Sequence, residues 1–209
     1  MKIILLGSTG LVGDKILHEL IINDAVKQIT TIGRRAPKLT SDKINAIVEP
    51  DTSQWYKNEY FVGNDVAISA FGTTKADAGG IDKFKEIDID NNVKFATTAK
   101  ANGVSKYVLI SAVGANSNSW FPYLRLKGEL EDAVKKLGFN STHILRPGAL
   151  LGDREKPRLA ETVANSVLKL PVLSSSLANK AEVVAAKVNS LLTSTEKFKI
   201  YGVKEINQV

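Results

Sequence analysis

Tyr123 and Lys127 stand four residues apart, and Ser111 precedes Tyr123 by twelve, a set of side chains suited to carbonyl and alcohol chemistry. On a helix, a spacing of four puts the phenol and the ammonium on one face. A tyrosine ordinarily titrates near 10, roughly three units above neutrality, and an ammonium beside it stabilises the phenolate. Tyr123 is therefore a candidate to give or take a hydroxyl proton, with Ser111 hydrogen-bonding the oxygen on which charge develops. Lys127 is also placed to reach a ribose. Taken alone, Tyr-x-x-x-Lys arises often by chance, and a serine at a strand end commonly serves a turn. The assignment gains weight from a second feature at the start of the chain.

That feature is Gly7-Ser8-Thr9-Gly10-Leu11-Val12-Gly13, which directly follows an apolar run and opens an amphipathic stretch. In a strand-to-helix turn, one glycine permits the tight bend, another lets main chain approach a pyrophosphate, and a third allows close packing of helix on sheet. An anion then rests on the free N–H groups and positive end of the helix. Gly7, Ser8, Thr9, Gly10, Leu11 and Val12 are the candidate cofactor contacts here. The next predicted strand ends in Ile32-Gly33-Arg34-Arg35. An NAD-selective site places a carboxylate on the ribose 2′-hydroxyl at about this distance from the turn. Arg34 and Arg35 instead suit a 2′-phosphate, so NADP(H) is the expected cofactor, with NAD(H) as the alternative.

These residues need elements to position them. Short apolar runs at 2–6, 28–32, 44–48, 65–70, 106–110, 141–145 and 198–201 alternate with longer amphipathic stretches. They are too short for helices and largely lack polar alternation, as buried parallel strands do. Helices are predicted from Val12 to Ile21, over about 82–101, from Pro122 to before Gly138, and over about 179–192. The pattern predicts an α/β, Rossmann-type doubly wound fold: a mostly parallel sheet of about six to seven strands with helices on both faces. One domain over residues 1–209 is expected, with a small substrate-side portion within about 148–209. The irregular stretches 72–80 and 111–120 each begin after a strand, where open α/β sheets bind ligands.

Composition excludes several function classes. The chain carries 28 Lys and Arg against 22 Asp and Glu, a formal +6 without a long like-charged run, so no nucleic-acid partner is indicated. It has no cysteine, which removes disulfides and thiolate chemistry, and only His18 and His143 are imidazoles, so no metal is expected. The apolar run near the N-terminus is shorter than the roughly 7–15 residues of a secretory core, and no stretch approaches the roughly 18 of a membrane span. A cytoplasmic location without membrane association is the resulting expectation. Trp55 and Trp120 look isolated. Trp120, three residues before Tyr123, is a candidate wall for a substrate pocket or an ordinary packing residue.

The glycine turn, the serine and Tyr-x-x-x-Lys occur in the order seen in the short-chain dehydrogenase/reductase superfamily, which the chain resembles. It is most similar to the atypical branch related to NAD(P)-dependent epimerases and dehydratases, and within it to the Tat-interacting-protein-like small oxidoreductases. The resemblance is carried over essentially the whole chain by Ile32-Gly33-Arg34-Arg35, Phe71-Gly72-Thr73-Thr74, Ser111 through Gly114, Tyr123-Leu124-Arg125-Leu126-Lys127-Gly128-Glu129, and Leu145 through Arg154. It implies that Phe71, Gly72 and Thr73 line the adenosine and ribose side of the cofactor. It also implies that Arg146, Pro147 and Gly148 pass the nicotinamide, with Ala149 and Leu150 as main-chain contacts. Asp51 falls near an acidic position beside the adenine in the same family. Arg146 suits either catalysis or a structural ion pair. Where many relatives carry an asparagine for proton relay, this chain has Asp88, with Asn91 and Asn92 soon after. The function implied is an NADP-dependent oxidoreductase acting on a small carbonyl or alcohol. The alternatives are an NADP(H)-binding regulator with little turnover and nucleotide-sugar epimerase or dehydratase chemistry. A homodimer is left open.

Overall fold

Every predicted strand is present in the computed structural model, which describes residues 1–73, 78–151 and 178–209. The strands are β1 (Lys2–Leu6), β2 (Gln28–Gly33), β3 (Ile44–Val48), β4 (Val66–Ser69), β5 (Lys106–Ile110), β6 (Ser141–Leu145), β7 (Ala149–Leu151), β8 (Ala178–Lys180) and β9 (Phe198–Tyr201). Seven of them form one sheet in the order β3-β2-β1-β4-β5-β6-β9, with all neighbours parallel. The helices are α1 (Leu11–Ile22), α2 (Asn58–Phe61), α3 (Ile81–Phe84), α4 (Asn91–Ala101), α5 (Pro122–Lys136), α6 (Ala181–Leu191) and α7 (Val203–Ile206).

Parallel strands need crossovers, and the crossovers cover both faces of the sheet. In β1, Ile3 and Leu5 face one apolar layer while Ile4 and Leu6 face the other, which is why the run shows no polar alternation. The first layer is closed by Ile16, Leu17 and Leu20 of α1 with Val184 and Val188 of α6. The second is closed by Phe95, Ala96 and Ala99 of α4 with Leu126, Leu130 and Val134 of α5. The chain runs from β1 outward to β3, then returns to β4 on the other side of β1. That reversal opens a crevice at the carboxyl ends of β1 and β4, the place where such sheets take ligands.

Three local features depart from the periodicity. The helix predicted over about 82–101 is interrupted by a π-helical segment, Lys85–Asp90, between α3 and α4. The helix predicted from about 179 starts two residues later, because Ala178–Lys180 is drawn out as β8 against β7. A 3-10 turn at Thr52–Tyr56 buries Trp55, a lone residue that periodicity could not place. Of the expected substrate-side portion, residues 152–177 lie outside the described residues, as do Thr74 and the Gly152–Arg154 end of the resembling stretch.

Candidate functional site

Gly7 ends β1 at φ 92°, and the N–H of Gly10 closes the turn on the Gly7 carbonyl at 3.1 Å. A side chain on Gly7 would lie 2.6 Å from the Phe71 nitrogen, and one on Gly13 only 1.9 Å from the Gly7 oxygen. The protein's own packing thus demands those two glycines. At Gly10 the nearest atom to such a side chain would be the Gly7 oxygen at 3.4 Å, an ordinary contact. Packing among the described residues therefore does not require a glycine there, and its bare main chain leaves room for a ligand to approach closely. Gly10 also caps α1 without any side-chain hydrogen bond, so the cap residue leaves the first-turn N–H groups to another acceptor. An anion fits this end of α1. The side chains of Ser8 and Val12 turn inward and are buried, so they can face a ligand only through main chain, whereas Thr9 and Gly10 are exposed and Leu11 is half-buried.

The turn continues into a cleft lined by Gly7, Thr9, Ile32, Gly33, Arg34, Arg35, Trp55 and Phe71. The structure therefore unites the glycine turn with both arginines and with Phe71. Arg34 and Arg35 are exposed, and neither is held by a carboxylate among the described residues. Trp55, which stands isolated in the sequence, joins them in the cleft. It donates from Nε1 to the Glu49 carbonyl at 2.7 Å and meets the Phe71 ring edge-on at 5.4 Å. Asp51 caps its own turn instead, accepting from the Ser53 N–H at 2.8 Å and its hydroxyl at 2.9 Å. Those bonds hold its exposed carboxyl below the usual range. Of this segment, Trp55 reaches the cleft and Asp51 does not line it.

Pro122 opens α5, where its fixed φ suits a first helical residue and its missing N–H costs nothing. Tyr123, Lys127 and Glu131 then follow at spacings of four on one face. Tyr123 is half-buried, with its ring 5.3 Å from that of Phe84. The Lys127 ammonium forms an ion pair with Asp88, with the two side chains 6% and 0% exposed. The other Asp88 oxygen accepts the Thr73 N–H at 2.6 Å. Burial alone would push Lys127 below the ordinary lysine value, but Asp88, with Tyr123 and Glu131, overcomes this and holds it above. One donor of the Lys127 ammonium is thus taken by a carboxylate that the spacing of Tyr123 and Lys127 does not reveal.

Glu131 ties together Ser111 and Arg146. Its Oε1 accepts the Ser111 hydroxyl at 2.5 Å and Arg146 Nε at 3.0 Å, while its Oε2 takes Arg146 Nη2 at 2.5 Å. This two-point contact raises the Arg146 pKa and makes the residue a structural ion pair, the second of the two roles expected for it. It also corrects the role expected of Ser111. A carboxylate held by a guanidinium only accepts, so the one Ser111 proton is spent on Glu131 and the hydroxyl offers lone pairs to a ligand. Glu131 is a functional residue that the sequence pattern did not single out; its place one turn beyond Lys127 on the same face is the signal that could have found it.

Gly128 lets the loop after β5 lie on α5, since a side chain there would fall 2.1 Å from the Ser117 nitrogen. The bend after β6 is held by the buried Asn179, whose Oδ1 accepts the Gly148 N–H at 3.0 Å and whose Nδ2 donates to Val203 and Asn207. Nothing in the local sequence pattern marks Asn179. Pro147 is buried and accepts the Val113 N–H at 2.9 Å, and Leu150 lies half-buried in β7. Trp120 does not pack in the core of the described residues: it is 95% exposed, next to Phe121 at 71%. His143 is buried between Ser141 and Tyr201, and burial together with Lys106 holds its pKa down to about 4. Among the described residues no three His, Cys, Asp or Glu side chains gather to hold a metal ion.

The NAD(P)H-binding family matches residues 7–190 of the chain. Protein FMP52, mitochondrial, of Candida albicans is 45% identical over 174 residues, covering 79% of this chain and 76% of the relative. Protein FMP52-1, mitochondrial, of Scheffersomyces stipitis is 41% identical over 223 residues, covering 100% and 98%. Among solved structures, MoeE5 in complex with UDP-glucuronic acid and NAD superposes with a TM-score of 0.75 at 11% identity, over 97% of this chain and 76% of that one. DesIV, a dTDP-glucose 4,6-dehydratase from Streptomyces venezuelae with NAD bound, gives 0.72 at 14% identity, over 97% and 75%. The oxidoreductase ylbE from Lactococcus lactis gives 0.67 at 20% identity, over 100% and 96%. These likenesses show the fold. The relatives' names correct one expectation: they are mitochondrial proteins, which conflicts with a cytoplasmic location. Arguments against a secretory core or a membrane span do not separate cytosol from mitochondrion.

Proposed function

The chain belongs to the NAD(P)H-binding family, with solved neighbours in the epimerase/dehydratase-related, atypical short-chain dehydrogenase/reductase superfamily, and from that premise we propose that it is an NADP-dependent oxidoreductase of small carbonyls or alcohols. The observation that carries this reading is the shared α5 face on which Tyr123 stands one turn from the buried cation Lys127. Bound NADP(H) supplies the hydride donor or acceptor. The main chain from Gly7 to Val12 holds its pyrophosphate, and Arg34 and Arg35 grip the 2′-phosphate. Phe71, Gly72 and Thr73, with Trp55, line the adenosine and ribose side, and Arg146 through Gly148 with Leu150 line the nicotinamide side.

Tyr123 gives its phenolic proton to the substrate oxygen in reduction and takes it back in oxidation. Lys127 stabilises the phenolate left behind, although Asp88 offsets part of its charge. Ser111 accepts a hydrogen bond from a ligand O–H or N–H. The names of the FMP52 relatives support a mitochondrial location.

The test is a panel of carbonyls and alcohols with NADPH and NADP. Tyr123→Phe is expected to lower turnover by about 100-fold or more while NADPH binding stays nearly intact. An unchanged rate in that variant removes Tyr123 from the chemistry. A second reading, an NADP(H)-binding regulator with little turnover, is favoured by one observation: Ser111 and Lys127 are both engaged by carboxylates. If NADPH raises the melting temperature and no compound on the panel turns over, that reading replaces the first.

A further inference from the structure

We propose that Asp88 is a positioning residue for the bound dinucleotide, one buried carboxylate that fixes both the Lys127 ammonium and the Phe71–Thr73 main chain, two sides of the ribose pocket. The inference rests on the cofactor reading above and concerns a residue to which that reading gives no part beyond offsetting the Lys127 charge.

Asp88 is fully buried and lies in the π-helical segment before α4. One of its oxygens meets the Lys127 ammonium and the other takes the Thr73 N–H. A side chain on Gly72 would lie 2.9 Å from Asp88 Oδ2, so the loop after β4 passes directly over the carboxylate. Asn92, one turn further on, ties down the same loop. Its Nδ2 donates to the Phe71 carbonyl at 3.2 Å and to the Asp88 carbonyl at 2.5 Å, and its Oδ1 accepts from Ser69. Phe71 is a wall of the cofactor cleft. Lys127 comes to this point from α5, on the far side of Asp88, so the carboxylate bridges the cleft wall and the helix that bears Tyr123.

An ammonium has three N–H donors, and Asp88 takes one, which fixes the directions of the other two. The charged and titratable groups facing Lys127 are Asp88 from the π-helical segment and Tyr123 and Glu131 from α5. Glu131 is itself matched by Arg146, so among the described residues Asp88 supplies the direct counter-charge. Without it, a buried ammonium sheds its proton at a lower pH.

Asp88→Asn separates charge from shape, because the carboxamide still has an oxygen for the Thr73 N–H. NADPH binding is measured by fluorescence titration from about pH 6 to pH 9 in the wild type, Asp88→Asn, Lys127→Met and the double variant. In Asp88→Asn the affinity is expected to fall about tenfold near the upper end and much less near the lower, a slope the wild type lacks. The double variant is expected to bind as Lys127→Met alone does. Asp88→Asn binding like the wild type at every pH overturns the inference, as does a pH-independent loss that adds to that of Lys127→Met. Should Asp88→Asn fail to fold, the other two variants decide: equal affinities support the inference, and a further loss in the double variant overturns it. A wild type that binds neither NADPH nor NADH brings down the cofactor reading, and the inference with it. A wild type that binds alongside an unaffected Asp88→Asn removes the inference alone.

Discussion

The turn between β1 and α1 and the inner face of α5 open onto the same edge of the sheet, yet different forces hold them. The turn is made of main chain: Gly7 at positive φ, Gly13 against the Gly7 carbonyl, and a helix end without a side-chain cap. Among the described residues that line its cleft, the charged ones are Arg34 and Arg35, both exposed. The α5 face is made of buried charge, with Lys127 against Asp88 and Glu131 against Arg146 and Ser111. A main-chain site is complete before its ligand arrives and depends little on pH. A buried-charge site is stable only while every partner is present, because an uncompensated ion in the interior costs far more than the pair contributed.

Removing a partner from the charged end should therefore have the largest effect. Glu131→Ala leaves Arg146 without its carboxylate and Ser111 without its acceptor. Because Arg146 is 29% exposed, the cost is expected at the low end for a broken buried pair, about 3 kcal/mol by urea unfolding. Glu131→Gln keeps an acceptor and should cost less. If Glu131→Ala unfolded like the wild type, the α5 face would not be a charge-built site at all.

The main-chain end fails sterically. On Gly13 a single methyl would fall 1.9 Å from the Gly7 oxygen, and neither atom belongs to a movable side chain. Gly13→Ala should cost about 2 kcal/mol by the same measurement and displace the turn, so that NADPH no longer raises the melting temperature. Full retention of that response would mean that the turn is not what holds the nucleotide.

The same contrast explains what is legible in the sequence. A main-chain turn writes itself into consecutive residues, and Gly7 through Gly13 announced both the bend and the ligand class. The strands were equally plain, since burial on both faces leaves unbroken apolar runs such as Tyr107–Ile110. A buried ion pair leaves no local trace. Lys127 finds Asp88 39 positions away, and only the fold brings them together. Arg146 and Ser111 were visible as types, but the carboxylate joining them was not, so Ser111 was given a donor's role that Glu131 takes away. Trp55 and Asn179 act as single residues outside any period, and the carboxylate of Asp51 looked available until its turn was seen to consume it. The cytoplasmic expectation failed for a different reason: an address within the cell is not a property of the folded core.

The smallest effect on stability should come from Arg34 and Arg35, and it is the one that most sharpens the comparison. Both guanidinium groups stand at the rim of the cleft beside Gly33, exposed and unmatched by a described carboxylate. Replacing either with alanine removes no buried contact, so unfolding should shift by no more than about 0.5 kcal/mol. If the groups clasp a 2′-phosphate, each substitution should weaken NADPH about tenfold and leave NADH unchanged, the worth of one charge-assisted contact. Because the arginines are solvated, raising the salt to about 0.5 M should shrink the difference between NADPH and NADH in the wild type. Binding of NADH itself, resting on main-chain donors, should change less. Equal affinities for the two nucleotides in the wild type would make the arginines ordinary surface. The cofactor end would then be built from backbone alone, with no charge of its own to choose between them.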